Sequence, residues 1–471
     1  MSDLSMFFEP KSIAVVGAST NPKKGGHNIL KNIIKSWGKE RLYPINPKAD
    51  EVLGVKAYPS LLDVPEEQID LVIIYINAKY VLDILKQCEK KKVRGVLIES
   101  AGFAEVGGEG KKIQEEMERF AKRTGIRIWG GNCMGYIMDG LITTFLDIKE
   151  VPVGGLSLVG QSGYFSGAIY EYVVTERKLG IRKACSIGNK TDVDENDMLG
   201  DFLKDDKTEV IVLYLESFKD GRRFYELSKE VSKKKPVICL PGATSEAGKT
   251  AAASHTGAIA GSASFEILES ILGKQAGVVL IRDFEEMFDL AEGFLRLPLP
   301  KGNNLGIITI TGAGGVVASD LAYQYGLKVP SLPSEVEEKL KTVYPSWMPP
   351  KNPADSWPAF EQHGVIPVLK TELEAMLSND AFDMLLIIMA SIKVALDFNP
   401  EIIGEYIKKY NKPIVMWITG EKEVTEEWVD RLRKSGGVAY DGVETSIKVL
   451  RKMYDYYLYT QKKDLSLEEI S

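Results

Sequence analysis

Short uninterrupted runs of Val, Ile and Leu recur along the whole chain, each separated from the next by a longer, charged stretch. Residues 12–16 (SIAVV), 71–76 (LVIIYI) and 95–99 (GVLIE) are such runs, and residues 79–92 and 111–124 are amphipathic stretches between and after them. A strand that is apolar at every position must be covered on both faces, whereas a half-solvated antiparallel strand alternates apolar with polar residues. Helices in crossover connections provide that cover. The pattern therefore predicts an α/β protein built on parallel sheets with helices on both faces.

The pattern restarts twice. After Val151-Pro152-Val153-Gly154 a second cycle opens at residues 155–159 and continues through 210–215 and 236–240. Residues 297–304 (LPLPKGNN) gather proline, glycine and asparagine into the clearest boundary in the chain. A third cycle opens at residues 305–310. The later two cycles resemble each other. Each opens on a strand and a glycine-bearing turn, Val159-Gly160-Gln161-Ser162-Gly163 against Gly312-Ala313-Gly314-Gly315. Each has a buried run ending in serine, at Ser217 and Ser391, and then a Lys-Pro strand, residues 235–238 against 412–415. This reads as a duplicated open α/β domain. At roughly 150 residues per domain, a chain of 471 residues accommodates three.

Composition narrows the function. A formal charge of -7 offers no basic footprint for nucleic acid. No run of about 18 consecutive apolar residues suggests a membrane span, and the first residues (MSDLSMFFEPKS) lack the pattern of a secretory signal. Cys88, Cys133, Cys185 and Cys239 are scattered without zinc spacing. The expectation is a cytoplasmic protein with no bound metal, no nucleic acid and no membrane.

Several turns could carry chemistry. Gly17-Ala18-Ser19 follows the first strand at an expected helix start, where free backbone amides suit a phosphate. The full G-x-G-x-x-G fingerprint is absent, and Asn46-Pro47-Lys48 stands where an acidic residue would hold an adenine ribose. A plain βα turn fits equally well. Residues 130–135 (GGNCMG) form a small-residue turn that a ligand could approach closely, or that merely carries a buried cysteine. Gln161-Ser162-Gly163 precedes an expected helix over residues 164–177, as an anion site or a simple cap. Residues 243–250 (ATSEAGKT) fit a relaxed Walker pattern, but the glycines that follow would weaken the long helix such a loop starts.

The sharpest local feature is Ser254-His255-Thr256-Gly257, read as a Ser/Thr/Gly-rich loop after a sheet strand. Imidazole is a good nucleophile near neutral pH and needs only orientation, for which Glu216 at the end of a neighbouring run is a candidate. His27 and His363 lack comparable surroundings.

Together these residues resemble the alpha subunit of ADP-forming (NDP-forming) acyl-CoA synthetases, of the acetate–CoA ligase type, relatives of succinyl-CoA synthetase. The resemblance runs over roughly residues 7–455. Its strongest piece is residues 251–261 (AAASHTGAIAG), similar to the family's phosphohistidine loop. Residues 45–48, 131–133, 161–163, 186–194, 313–315 and 351–355 add to it.

The resemblance implies a Rossmann-like CoA-binding domain over residues 1–150. Two flavodoxin-like CoA-ligase domains would follow, at 151–297 with the phosphohistidine loop and at 303–460. It implies that Gly17, Ala18, Ser19, Lys48, Asn132 and Cys133 hold coenzyme A, and that Ser162 and Gly163 receive phosphate. His255 would be phosphorylated and Glu216 would orient it. Acyl-CoA and phosphate would give an acyl phosphate, whose phosphoryl group passes to His255 and then to ADP. The implied partner is a beta subunit with the ATP-grasp domain, carrying ATP or ADP and Mg2+, in an alpha2beta2 heterotetramer. The acid is a small carboxylic acid, acetate being the family default.

Three departures stand out: Gly131 where the family has proline, residues 240–243 (LPGA), and residues 74–77 (IYIN). Two other readings compete, a CoA-binding regulatory protein without catalysis and a P-loop nucleotidase using Lys249 and Thr250.

Overall fold

The computed structural model describes residues 3–256, 263–391 and 398–462, with the backbone alone at Phe165, Ser166 and residues 253–256. The chain divides into two compact units, Met1–Met287 and Phe288–Ser471. Among the described residues no helix is long and apolar enough to cross a membrane.

Among the described residues the first unit holds two large sheets and a minor two-stranded ribbon, Glu51–Val52 with Val55–Lys56. One is wholly parallel, in the order Leu42–Ile45, Ile13–Val16, Leu71–Ile74, Gly95–Ile98, Arg127–Gly130. The continuous apolar runs explain it. Alternate residues leave a strand on opposite faces, so Ile13, Val15, Leu71, Ile73 and Leu97 enter one core. Ala14, Val16, Val72, Ile74, Val96 and Ile98 enter another. Helix Gly25–Ser36 covers the first face with Ile29, Leu30 and Ile33. Helices Val81–Lys90 and Gly108–Thr124 cover the second with Leu85, Cys88, Met117 and Phe120.

The second sheet runs Val279–Leu280, Val237–Pro241, Val210–Leu215, Val153–Gly160, Ile181–Ser186, and ends in the antiparallel hairpin Tyr136–Met138 and Leu141–Ile142. That hairpin has no counterpart in the sequence reading. It joins the edge of the second sheet although it directly follows the last strand of the first, and one hydrophobic core runs through both sheets.

In the second unit the parallel sheet runs Ala354–Asp355, Leu305–Thr309, Met384–Ser391, Ile414–Gly420, Val438–Tyr440. Numbered within each cycle, and leaving aside the hairpin and a minor ribbon, all three sheets follow the flavodoxin-like order 2-1-3-4-5. The likeness between the second and third cycles thus extends to topology. In each sheet the chain reverses direction beside the first strand, which opens a crevice at the carboxyl ends of the strands.

The breaker run at residues 297–304 lies between helix Phe284–Arg296 and strand Leu305–Thr309. The compact units part earlier, inside that helix. Its C-terminal half packs with the second unit: Arg433 Nε lies 2.7 Å from the buried Glu292 carboxylate, and the Tyr440 hydroxyl donates to Asp289 O at 2.9 Å.

Candidate active site

In the first sheet the strand Ile13–Val16 ends at Gly17, whose φ is +94° and where a Cβ would lie 2.3 Å from Tyr75 O. Only glycine fits there. A Cβ on Gly26 would lie 2.0 Å from Gly17 O, so the helix start is pressed against the turn. Asn46 closes the arrangement by donating from Nδ2 to Ala18 O at 2.8 Å while its Oδ1 accepts from Lys48 N at 2.9 Å. His27 Nδ1 lies 2.9 Å from Ser19 O, which accounts for that histidine as a local brace. His363 ends helix Trp357–His363 in the second unit, exposed.

A cavity of about 1,400 Å³ opens from this turn. Gly17, Ala18, Ser19, Lys24 and Asn46 line one part, and Asn132, Cys133, Met134, Gln161, Ser162 and Gly163 another. Lys48 is exposed and is not among the lining residues; Lys24 is. The sequence reading did not single out Lys24, which sits at the N-cap of helix Gly25–Ser36.

Asn132 has φ +53° and its amide donates to Ser100 O at 2.7 Å. The Gly130–Gly131 peptide before it is cis. Cys133 is buried with Sγ 3.3 Å from Ile98 O, and burial pushes its thiol up, away from a reactive thiolate. Ser162 caps a short 3-10 turn, Gly163–Ser166, its Oγ accepting from Tyr164 N at 3.3 Å, and helix Ala168–Thr175 follows. The helix expected over residues 164–177 is thus split at Gly167, where a Cβ would lie 2.9 Å from Leu146. A Cβ on Gly163 would lie 2.6 Å from Met134 Sδ, so the two walls meet there.

Gln161 ties this wall to Glu216. Its Oε1 accepts from Glu216 N at 2.9 Å and from Ser217 N at 3.2 Å. The Glu216 side chain is buried beyond the end of strand Val210–Leu215 and does not line the cavity. One carboxylate oxygen accepts from the Tyr214 hydroxyl at 3.1 Å, and the other has no hydrogen-bond partner among the described residues.

One cavity residue went unnoticed in the sequence. Glu99 follows strand Gly95–Ile98, is 3% exposed and lines the cavity, with neither carboxyl oxygen hydrogen-bonded among the described residues. Burial pushes its carboxyl well above the usual range, against a weaker opposing effect of the Phe145 amide. Tyr75, also pushed up by burial and by Glu99, packs its ring 5.4 Å from that of Phe145. The signal available in the sequence was an acid directly after a strand buried on both faces.

His255 falls in helix Glu246–Thr256, and its side chain lies outside the described residues. The sequence reads the Ser/Thr/Gly-rich segment as a loop, whereas its first part is helical up to Thr256. Three consecutive alanines, Ala251 to Ala253, favour the helix. Lys249 and Thr250 sit inside the helix instead of opening it: Lys249 pairs with Glu246 at 2.7 Å and Thr250 donates to Glu246 O at 3.0 Å. A phosphate-cradling loop needs both groups at the helix mouth. Among the described residues no cluster of His, Cys, Asp and Glu could hold a metal.

Two family models match the chain, a CoA binding domain over residues 11–139 and a succinyl-CoA ligase like flavodoxin domain over residues 153–294. The chain is 37% identical to the alpha subunit of acetate–CoA ligase [ADP-forming] I of Pyrococcus furiosus, over 98% of this chain and 99% of that one. It is 35% identical to acetate–CoA ligase [ADP-forming] II of Archaeoglobus fulgidus, over 96% of this chain and 67% of that protein. Among solved structures, the dinucleotide-forming acetyl-coenzyme A synthetase 1 of Ca. Korarchaeum cryptofilum, in complex with phosphate and ADP, superposes with a TM-score of 0.85 at 33% identity, covering 98% of each chain.

Proposed function

The chain belongs to the family of ADP-forming acetate–CoA ligases, and from that premise we propose that it is the alpha subunit of an ADP-forming acyl-CoA synthetase whose cavity binds coenzyme A. One observation carries the reading: a single cavity is lined both by the glycine turn Gly17-Ala18-Ser19 and by the capped turn Ser162-Gly163. A ligand with phosphates at one end and a thioester at the other fits such a span. The Gly17-Ala18-Ser19 amides and Lys24 take the diphosphate, with Lys48 at the rim, and Asn132 and Cys133 flank the thioester. In this reading residues 1–150 form the CoA domain, and residues 151–297 and 303–460 the two ligase domains.

The chemistry follows in two steps. A phosphate oxygen held at Ser162 and Gly163 attacks the thioester carbonyl; the C–S bond breaks, and acyl phosphate and coenzyme A result. Glu99, kept protonated by burial, gives its proton to the departing thiolate, and in synthesis its carboxylate takes the proton from the attacking thiol. An imidazole nitrogen of His255 then attacks phosphorus and the carboxylate leaves. Glu216, with one oxygen unengaged by the described residues, orients and stabilises the imidazole. Backbone amides at the capped turn stabilise the transferring dianion without offering a competing nucleophile. ADP, with Mg2+, accepts the phosphoryl group on a separate ATP-grasp beta subunit, in an alpha2beta2 assembly.

The test is direct. Incubated with acetyl phosphate, the chain should gain one acid-labile phosphoryl group in intact-mass spectra, and His255→Ala should gain none. A stable modification, or one that persists in the variant, would refute the assignment.

A further inference from the structure

The turn that carries Asn132 and Cys133 is held by a segment of the second sheet's lobe. Residues 186–193 run beside it as a backbone ladder: Val193 N donates to Ile128 O, Thr191 N to Gly130 O and Asn189 N to Gly131 O, each at 2.9 Å. Trp129 Nε1 donates to Ser186 O at 2.7 Å. Gly188, at φ +55°, would place a Cβ 2.3 Å from Gly131 O and 2.5 Å from Asn132 O, so the backbones touch.

At the tip of the segment the Asn189 side chain joins three partners. Its Nδ2 donates to Glu105 Oε2 at 2.6 Å and to Gln114 Oε1 at 2.9 Å, and its Oδ1 accepts from Asn132 Nδ2 at 3.4 Å. The other Glu105 oxygen accepts from Gly102 N and Phe103 N at 2.6 and 3.1 Å. The next residue, Lys190, is buried, with Nζ 3.0 Å from Glu195 Oε2 and donating to Ser217 O at 2.7 Å. Ser217 adjoins Glu216.

We infer that Asn189 is a positioning residue of the coenzyme A site, fixing the Asn132-Cys133 turn through Asn132 and Glu105 while Lys190 anchors the same segment beside Glu216. One segment thereby keeps the thioester wall and the carboxylate assigned to His255 in register. The inference rests on the reading that the cavity takes coenzyme A. An amide is required at position 189 because it must donate to Glu105 and Gln114 while accepting from Asn132; an aspartate there would face the Glu105 carboxylate.

Calorimetric titration of the full chain with coenzyme A tests this. Asn189→Ala should weaken binding about five- to tenfold, with the melting temperature nearly unchanged. Asn189→Asp should weaken it further, less so as the pH falls and the facing carboxylates share a proton. Adding Glu105→Gln to Asn189→Asp should recover most of the loss, since the new amide donates to the aspartate. Wild-type affinity in both single variants, or a loss that follows the melting temperature and is not repaired by the second substitution, would overturn the positioning role. A wild-type chain that does not bind coenzyme A would instead overturn the reading of the cavity.

Discussion

Glu99 illustrates how one side chain can be costly to the fold and useful to the site. A carboxyl at 3% exposure whose oxygens have no hydrogen-bond partner among the described residues resists ionising, so the folded chain holds a proton that the unfolded chain releases. Folded-state stability is therefore intact below the ordinary carboxylate pKa of about 4 and declines as pH rises toward the higher folded value. Glu99→Gln should melt at a higher temperature than wild type at pH 7 and match it near pH 4. The same variant should lose thioester formation by about 10²- to 10⁴-fold while still taking a phosphoryl group from acetyl phosphate. Equal melting temperatures at both pH values would remove the case for a strained buried acid. The sequence displayed this residue only as an acid ending a strand, because the residues it interacts with, Tyr75, Cys133 and Phe145, come from separate loops.

At the scale of elements, the second unit has a comparable joint. Glu372, on helix Val365–Leu377, is fully buried and accepts from Tyr344 at 2.6 Å and from Ser356 at 2.5 Å. Burial pushes its carboxyl up to about 7 against those two donors. The helix is thereby tied to the residue after strand Ala354–Asp355, and Asp355 is a second acid acting on Tyr344. The stability of this joint is complete below pH 4.5 and falls as the pH rises to about 7, by roughly 3 kcal/mol. In equilibrium unfolding, Glu372→Gln should flatten that slope; an unchanged pH profile would mean the acid is not protonated in the fold. Parallel strands were legible as elements because burial on both faces leaves an uninterrupted apolar run. The hairpin over residues 136–142 was not, since its pairing with strand Ile181–Ser186 is a contact between distant residues.

For the whole molecule, the proposed function divides the labour between this chain and a partner. The described sheets account for three windings of flavodoxin-like order and for the cavity proposed to take CoA, and we expect the nucleotide chemistry to require the partner. The chain alone, given acetyl phosphate and ADP, should form no ATP, and adding the proposed ATP-grasp subunit should start ATP formation; ATP from the chain alone would contradict that assignment. The glycine turns and Ser162 were readable in advance because their constraints are local: a sharp turn, a cap, a helix start. Glu99 and the Asn189 contacts were not, because each owes its place to residues tens of positions away; Lys24 was missed although it stands only five residues after Ser19.

By itself the sequence determined the α/β class, the three successive windings and the family, since apolar periodicity and short ordered motifs are carried by neighbouring residues. Only the tertiary structure decided which groups share one cavity, that residues 251–256 continue a helix, and that a segment of one sheet holds the turn of another. Those outcomes depend on burial and on distances across the fold, and covalent order encodes neither directly.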